Sequence, residues 1–403
     1  MSKKRPAHAK PPSGRAADQP RPPEERADIT EMAYSGNGPD QPKRPRGRKP
    51  RGKAFKGVMI AVIALLCVFG LLFILLGSYI GVMINRITFE GEYSEEYVDS
   101  IVPDDIDPNE SYDESDLLSD YTFIDDTMSD VAEIEVRGNT QNVTNYLLIG
   151  VDGQGDSYSA RSDTVIVLTI NKEKKTIKLT SLMRDILITI PGRDKDGDGK
   201  DDYGKFNWAY AFGGFDLMQK AIEQNFRLKI DKYIAVNFTA FEKAVDAFGG
   251  VDIALTDAEV AEVARTSSQP TSTSSAGVYH LNGAQALAYS RIRSLDSDFG
   301  RNNRQRKTIQ ALFNAAKSMS IGQLNTLLNT VLPEVRTNMT ANELAGFAMN
   351  SVTYFSYNME ETYYLPQTGT YTSKIDPSIG WVMVFNDPVQ AITDLHKFIY
   401  SLE

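Results

Sequence analysis

The run GVMIAVIALLCVFGLLFILLGSYIGVMIN, from Gly57 to Asn85, carries no charged residue. It exceeds the roughly 20 apolar residues needed to cross about 30 Å of hydrocarbon and predicts a single transmembrane helix. Beyond it the apolar positions come in shorter, patterned stretches. NYLLIGV (145–151), TVIVLTI (164–170) and TIKLTSL (176–182) are β-branched and nearly continuous in apolar character, as in strands covered on both faces. Helical periodicity follows at 215–226, 238–248, 282–292 and 301–317, with YIAVN and VDIALT as strands between helices and WVMVF near 381 as another. The closing segment DPVQAITDLHKFIYSL places Asp387 as N-cap and Pro388 at the first helical position. Together these predict an α/β domain with a mixed central β-sheet sandwiched between α-helices. No internal repeat is visible.

Charge divides the chain further. Residues 1–56 hold 15 Lys and Arg against 6 Asp and Glu, with Pro pairs and the run PKRPRGRKPRGK, and predict a disordered basic tail. Such a run also reads as a nucleic-acid patch, but the apolar span that follows makes positive-inside bias the sufficient explanation, with the tail in the cytoplasm and the remainder outside the cell. The apolar stretch is long and has no A-x-A cleavage pattern, so an uncleaved anchor is expected. Between Glu90 and Glu135 lie 18 acidic and no basic residues, broken by Pro103 and Pro108. Self-repulsion predicts an extended spacer here rather than a Ca2+ site, although its patch YTFI has the means to pack on the outer domain. The expected organisation is a cytoplasmic tail at 1–56, an anchor at 57–85, an acidic linker at 86–138 and an extracellular domain at 139–403.

Composition removes whole classes of chemistry. Cys67 is the single cysteine, so no intramolecular disulfide or thiolate metal cage forms. His8, His280 and His396 are the only histidines, so a mechanism needing a His pair on a metal or a Ser-His-Asp triad is short of parts. Asp, Glu, Arg and Lys are left to carry any reaction.

Three groups of such residues stand out. Asp152 follows an apolar strand, and Arg161-Ser162-Asp163 precedes the next. Two carboxylates at strand ends suit a hard ion such as Mg2+ or Mn2+ shared with phosphate oxygens, and they equally suit turn formation. Arg184-Asp185 interrupts the apolar run SLMRDILITIP, either as a structural ion pair or as part of a site. The strongest group is Arg291, Arg293, Asp298, Arg301, Arg304, Gln305, Arg306 and Lys307, with six cations in 17 residues of an otherwise acidic domain. Arg301, Arg304 and Gln305 share a helical face at i, i+3, i+4. Guanidinium forks bind phosphate oxygens in pairs, so the group fits a pyrophosphate, against the alternative of a solvated basic face. The loop Asp194-Lys-Asp196-Gly-Asp198-Gly199 resembles the start of an EF-hand but carries Lys205 where a bidentate Glu belongs, which favours an exposed turn. His280 reads as a surface or packing residue, and Trp208 as either core or groove lining.

The ordered motifs LLIGVDG, ARSDTVIVLTIN, SLMRDILITIPG, KFNWAYAFGG, VNFTAFEKAVDAFGGVDI, LNGAQALAYSRIR and SDFGRNNRQRKTIQAL resemble the LytR-CpsA-Psr family over roughly 145–317. The resemblance implies an Mg2+-dependent phosphotransferase of a Gram-positive type envelope. Such an enzyme moves a glycopolymer from an undecaprenyl-pyrophosphate carrier to peptidoglycan. It also implies roles: Asp152 and Asp163 for the metal, Arg161 in an RSD element, and Arg184 and Asp185 in the family's Pro-Arg-Asp element. Arg291, Arg293, Asp298, Arg301, Arg304 and Gln305 match its arginine-rich elements, with Asp185 or Asp163 as the base. Met183 stands where the family usually has Pro, and Gly153-Gln154 where members often carry Arg. The same residues leave open a polyprenyl-pyrophosphate hydrolase and, from another class, a membrane-bound regulator or glycan-binding module. The partners expected are the lipid-linked polymer, peptidoglycan and the membrane, with no nucleic acid.

Overall fold

The structure is a computed structural model that describes residues 117–118, 121–152, 161–195, 197–269, 275–296, 298–319, 330–331, 334–360 and 362–402. The tail at 1–56 and the anchor at 57–85 lie outside the described residues, and among the described residues no helix is long and apolar enough to cross a membrane.

The apolar runs at 145–182 become three adjacent antiparallel strands, β1 (Val143–Val151), β2 (Ser162–Asn171) and β3 (Thr176–Leu182). YIAVN becomes β6 (Tyr233–Asn237), parallel to β1, and β9 (Val335–Thr337) closes that edge antiparallel. At the other edge β10 (Asn358–Met359) and β11 (Tyr363–Leu365) both run parallel to β3. The sheet is therefore mixed, as expected, in the order β10-β3-β2-β1-β6-β9.

Helices cover both faces. On one lie α1 (Thr122–Ala132), α2 (Phe206–Phe226) and α8 (Pro388–Tyr400), whose Phe206, Phe226, Leu395 and Ile399 form one core with Leu147 and Ile149 of the sheet. Asp387 accepts a hydrogen bond from the Gln390 N–H, the N-cap that starts α8. On the other face are α3 (Phe238–Ala247), α5 (Gly283–Arg291) and α6 (Asp298–Lys317). Beside them α4 (Asp257–Thr266) packs on the hairpin of β7 (Val251–Leu255) and β8 (Gly277–Leu281), and α7 (Ala341–Tyr354) follows later. VDIALT is thus a strand, but it pairs with β8 outside the central sheet. Two further pairs join β4 (Leu187–Thr189) to β5 (Tyr203–Lys205) and β12 (Tyr371–Asp376) to β13 (Gly380–Phe385).

Two expectations need correcting. The α2 helix begins at Phe206 rather than 215, because Gly213-Gly214 kinks the helix instead of ending it, with Gly214 at φ +57. The packed domain also begins before residue 139. Within the acidic segment, α1 buries Ile124 and Val131, and the backbone N–H of Arg137 donates to Arg227 O at 2.9 Å while Lys229 N–H returns a bond to Arg137 O at 2.8 Å. Charge repulsion is local, and a pair of apolar residues seven apart on one helical face outweighs it.

Candidate functional site

Strand register builds the centre of the site. Val165 pairs with Leu182 across β2 and β3, so continuing each strand toward its neighbour brings Asp163 opposite Arg184. The Arg184 guanidinium donates to Asp163 Oδ1 at 2.9 Å, Asp185 Oδ2 at 3.1 Å and Asp298 Oδ2 at 3.3 Å. Burial opposes its charge, but Asp185, Asp163 and Asp298 more than offset this and hold its pKa above the ordinary guanidinium value. Asp298 opens α6, where the helix dipole favours a carboxylate, and also accepts from Arg301 Nη2 at 3.1 Å, with Arg293 Nε at 3.5 Å. Burial nonetheless raises the Asp298 pKa, against the guanidinium of Arg184. Lys205, which no motif in the sequence places in the site, brings its buried ammonium to 3.6 Å from Asp185.

From this cluster a cavity of about 350 Å³ runs between the sheet and helices α3, α5 and α6. Its walls are mostly apolar, including Leu148, Ile166, Val236, Phe241, Leu287 and Leu312, and its mouth carries Asp152, Asp163, Arg291, Arg293, Arg301 and Gln305. The alternation of buried and half-buried residues in β1 and β6 is the sheet-side trace of this groove: of the half-buried positions, Leu148 and Gly150 at the C-terminal end of β1 and Ile234 and Val236 of β6 line it. Gly150 sits at a break in the β1/β2 register, where a Cβ would stand 2.9 Å from Thr164 Cβ, so the two strands approach as closely as they do only without a side chain.

Arg301 sits at the junction of the groove and the acidic cluster. Its side chain is 3% exposed, yet among the described residues its Nε and Nη1 donors have no hydrogen-bond partner; nor has the Gln305 Oε1 acceptor. A buried donor left unpaired costs about 1–3 kcal/mol, so these N–H groups mark a place suited to phosphate oxygens.

The remaining candidates divide. Arg291 stacks over Phe238 at 4.2 Å and lines the mouth. Arg161 precedes β2, and its carbonyl accepts the Asp152 N–H at 3.3 Å. Arg304, expected on the phosphate, is not among the residues that line the groove. It donates to Glu259 Oε1 at 2.8 Å, to both Asp296 oxygens at 2.9 and 2.7 Å and to Ile292 O at 3.1 Å. Arg306 is also buried elsewhere, donating to Ser181 Oγ at 2.8 Å and Thr362 Oγ1 at 3.0 Å, with its pKa pushed down to about 10 by burial. Gly153-Gln154 lie outside the described residues. The Asp194 carboxylate accepts from the backbone N–H of Gly197, Asp198 and Gly199, which makes it the cap of an exposed turn; Asp196 lies outside the described residues.

His280 bridges Asp252 Oδ1 and Gly249 O, each at 2.7 Å, on the β7/β8 hairpin, and does not line the groove. The Asp252 carboxylate and then Gly249 O raise its pKa, whereas burial is the main cause lowering that of His396. An NMR titration is expected to place His280 above and His396 below the ordinary value of about 6.5. Because the folded-state value of His280 is raised, its stabilisation is complete below about 6.5 and is lost as pH rises through the folded-state pKa.

Among the described residues no group of three or more His, Cys, Asp or Glu converges as a metal cage. Asp152 and Asp163 nevertheless form a hard, oxygen-only pair at the groove mouth, which fits Mg2+ or Mn2+ that completes its shell with water and phosphate oxygens.

The sequence profile of the LytR_cpsA_psr family matches residues 114–379. The chain belongs to this family. Among similar curated proteins, a polyisoprenyl-teichoic acid–peptidoglycan teichoic acid transferase TagU of Halalkalibacterium halodurans is 37% identical over 215 residues, 52% of this chain and 66% of the relative. The corresponding TagT of Bacillus subtilis is 32% identical over 205 residues, 50% and 61% of the two chains. The chain thus spans less than two thirds of the length of these two relatives. A solved structure described as TagT bound to LIIa-WTA is 28% identical with a TM-score of 0.52, covering 65% of this chain and 91% of that one. A crystal structure of B. subtilis TagT is 26% identical with a TM-score of 0.51 and the same coverage. The LytR_cpsA_psr assignment and these structures agree with the mixed sheet between helices.

Proposed function

We propose that this chain is a phosphotransferase that moves an anionic glycopolymer, such as a teichoic acid or capsule, from an undecaprenyl-pyrophosphate carrier to peptidoglycan. The observation that carries this reading is the meeting of an apolar groove with the buried, unpaired donors of Arg301. A polyprenyl pyrophosphate has the matching parts, an apolar chain and a head of several negative charges. The names of the curated relatives as transferases of polyisoprenyl-linked teichoic acid support it.

The acceptor oxygen attacks the polymer-side phosphorus, the bond from that phosphorus to the bridging oxygen breaks, and the electron pair leaves on polyprenyl phosphate. Arg301, Arg293 and Arg291 at the mouth hold the head group and stabilise the charge on the leaving phosphate. Asp163 or Asp185 takes the hydroxyl proton, and Arg184, ion-paired to both, holds the two carboxylates in place. Asp152 and Asp163 would hold Mg2+ or Mn2+, which supplies positive charge to the phosphate oxygens. The apolar span at 57–85 would keep the chain in the cell membrane, N-terminus inside, where the carrier resides.

The test uses the full chain in detergent micelles, a long-chain polyprenyl-pyrophosphate-linked glycan and peptidoglycan, with the covalent product followed by mass spectrometry. Ala244 of α3 lines the groove, and Ala244→Phe would fill part of it. The variant is expected to raise KM for the long-chain donor about tenfold, with a much smaller effect on a short-chain donor. Release of free polymer with no peptidoglycan adduct would instead identify a hydrolase.

A further inference from the structure

We infer that a second cleft, on the far side of the Arg184 cluster, is the acceptor subsite, and that Trp381 is its specificity-determining residue for the sugar ring that supplies the attacking hydroxyl. The inference rests on the transferase reading above and extends it to the second substrate.

The cleft has a volume of about 330 Å³, at the lower end of small-molecule sites. Its floor is Arg184, Asp185 and Asp298, and its walls are Phe299, Tyr371 and Trp381. The walls follow from strand geometry. In the β12/β13 hairpin Tyr371 pairs with Phe385, Ser373 with Met383 and Ile375 with Trp381, so Tyr371, Ser373, Trp381 and Met383 share one face. Val382 and Val384 point the other way, into a separate apolar cluster. Phe299 meets Tyr364 edge-on at 5.2 Å and Tyr371 at 5.7 Å, which makes that wall rigid. Trp381 is 39% exposed, one of few large apolar residues left open to solvent among the described residues. Aromatic faces carry negative charge and attract the polarised C–H groups of a pyranose, and adjacent carboxylates accept its hydroxyl protons. Sugar, rather than lipid or phosphate, fits a cleft that combines aromatic walls with a carboxylate floor.

Position separates the acceptor from the donor. No residue lines both the groove and this cleft, yet Asp163 in the groove and Arg184 in the cleft are 2.9 Å apart. Displacement at phosphorus runs in line, so the nucleophile enters opposite the leaving group. With polyprenyl phosphate leaving on the groove side, the hydroxyl enters from the cleft, its oxygen bonding to phosphorus while its proton passes to Asp185. A second polar cavity, lined by Glu262 and Arg265, shares Phe238, Leu287, Arg291 and Arg293 with the groove and is therefore continuous with the donor side. Trp381 lies just beyond the residues 114–379 matched by the family profile, as suits a determinant of which acceptor is used.

The experiment uses the full chain in detergent micelles with a polyprenyl-pyrophosphate-linked glycan and a soluble peptidoglycan glycan oligomer. Trp381→Ala is expected to raise the acceptor KM about tenfold while donor KM and kcat stay within about twofold, and Trp381→Phe to restore most of the loss. An unchanged acceptor KM, or a rise in donor KM instead, overturns the inference. A second measurement stands apart from turnover. In a Trp208→Phe background the only indole is Trp381, and the glycan oligomer is expected to change its fluorescence. Wild-type chain that forms no peptidoglycan product refutes the transferase reading, whereas product formation with an unresponsive Trp381 refutes only the acceptor cleft.

Discussion

Arg301→Ala is expected to lower kcat/KM for glycopolymer transfer by about 10²–10³-fold, as when a preorganised charge-stabilising donor is removed from a site, with little change in thermal stability. The second half follows from the bonds the residue lacks. Among the described residues Arg301 pairs with Asp298 and leaves two buried donors unpaired. Removing a buried guanidinium that is poorly satisfied without ligand removes a cost as well as a contact, while Asp298 keeps Arg184 and Arg293. Arg301→Lys keeps the charge and loses the fork, and its activity should fall between the two. Steady-state kinetics alongside a melting curve separates these outcomes. A variant with normal turnover would remove Arg301 from the phosphate site.

Arg304→Ala, three residues further along the same helix, is expected to do the reverse. Its guanidinium joins α4 through Glu259, the loop after α5 through Asp296, and the carbonyl of Ile292. Glu259 is buried and also forms a reciprocal cap with Thr256, accepting from its N–H at 2.9 Å. Without Arg304 the Glu259 carboxylate stays buried with half its partners, at a cost of about 3 kcal/mol. The melting temperature should fall by roughly 6–12 °C. Activity should suffer mainly through loosening of the loop that positions Arg293 and Asp298. A normal melting temperature with abolished turnover would return Arg304 to the substrate.

The contrast between these two arginines shows how far a sequence can be read. At about 100° per residue, Arg301 and Gln305 stand about 40° apart on α6 and both meet the groove, whereas Arg304 falls about 60° to the other side. Spacing alone assigned all three to one face. The partner that decides the orientation of Arg304 is Glu259, 45 residues earlier in chain order, and nothing local in the sequence announces it. Continuous apolar runs made β1, β2, β3 and β6 legible, and Asp387-Pro388 marked the start of α8. The two- and three-residue strands β9, β10 and β11 carry too few positions for a period, and their pairing is set by the sheet edges they cover. In the acidic segment the patch YTFI marks where packing begins, but a count of charges gives neither the length of α1 nor Val131 on its inner face. The groove, the feature on which the functional reading depends most, is written as half-buried apolar positions alternating along β1 and β6, a pattern that appears only once burial is known.

The most direct test of the account is native mass spectrometry of the full chain in detergent micelles with added polyprenyl pyrophosphate. A one-to-one adduct that is lost in Arg301→Ala and kept in Arg304→Ala, with both variants folded, is the predicted result. No adduct with folded wild-type chain, or an adduct equally strong in Arg301→Ala, would contradict the assignment of the groove to the lipid carrier and of Arg301 to its pyrophosphate.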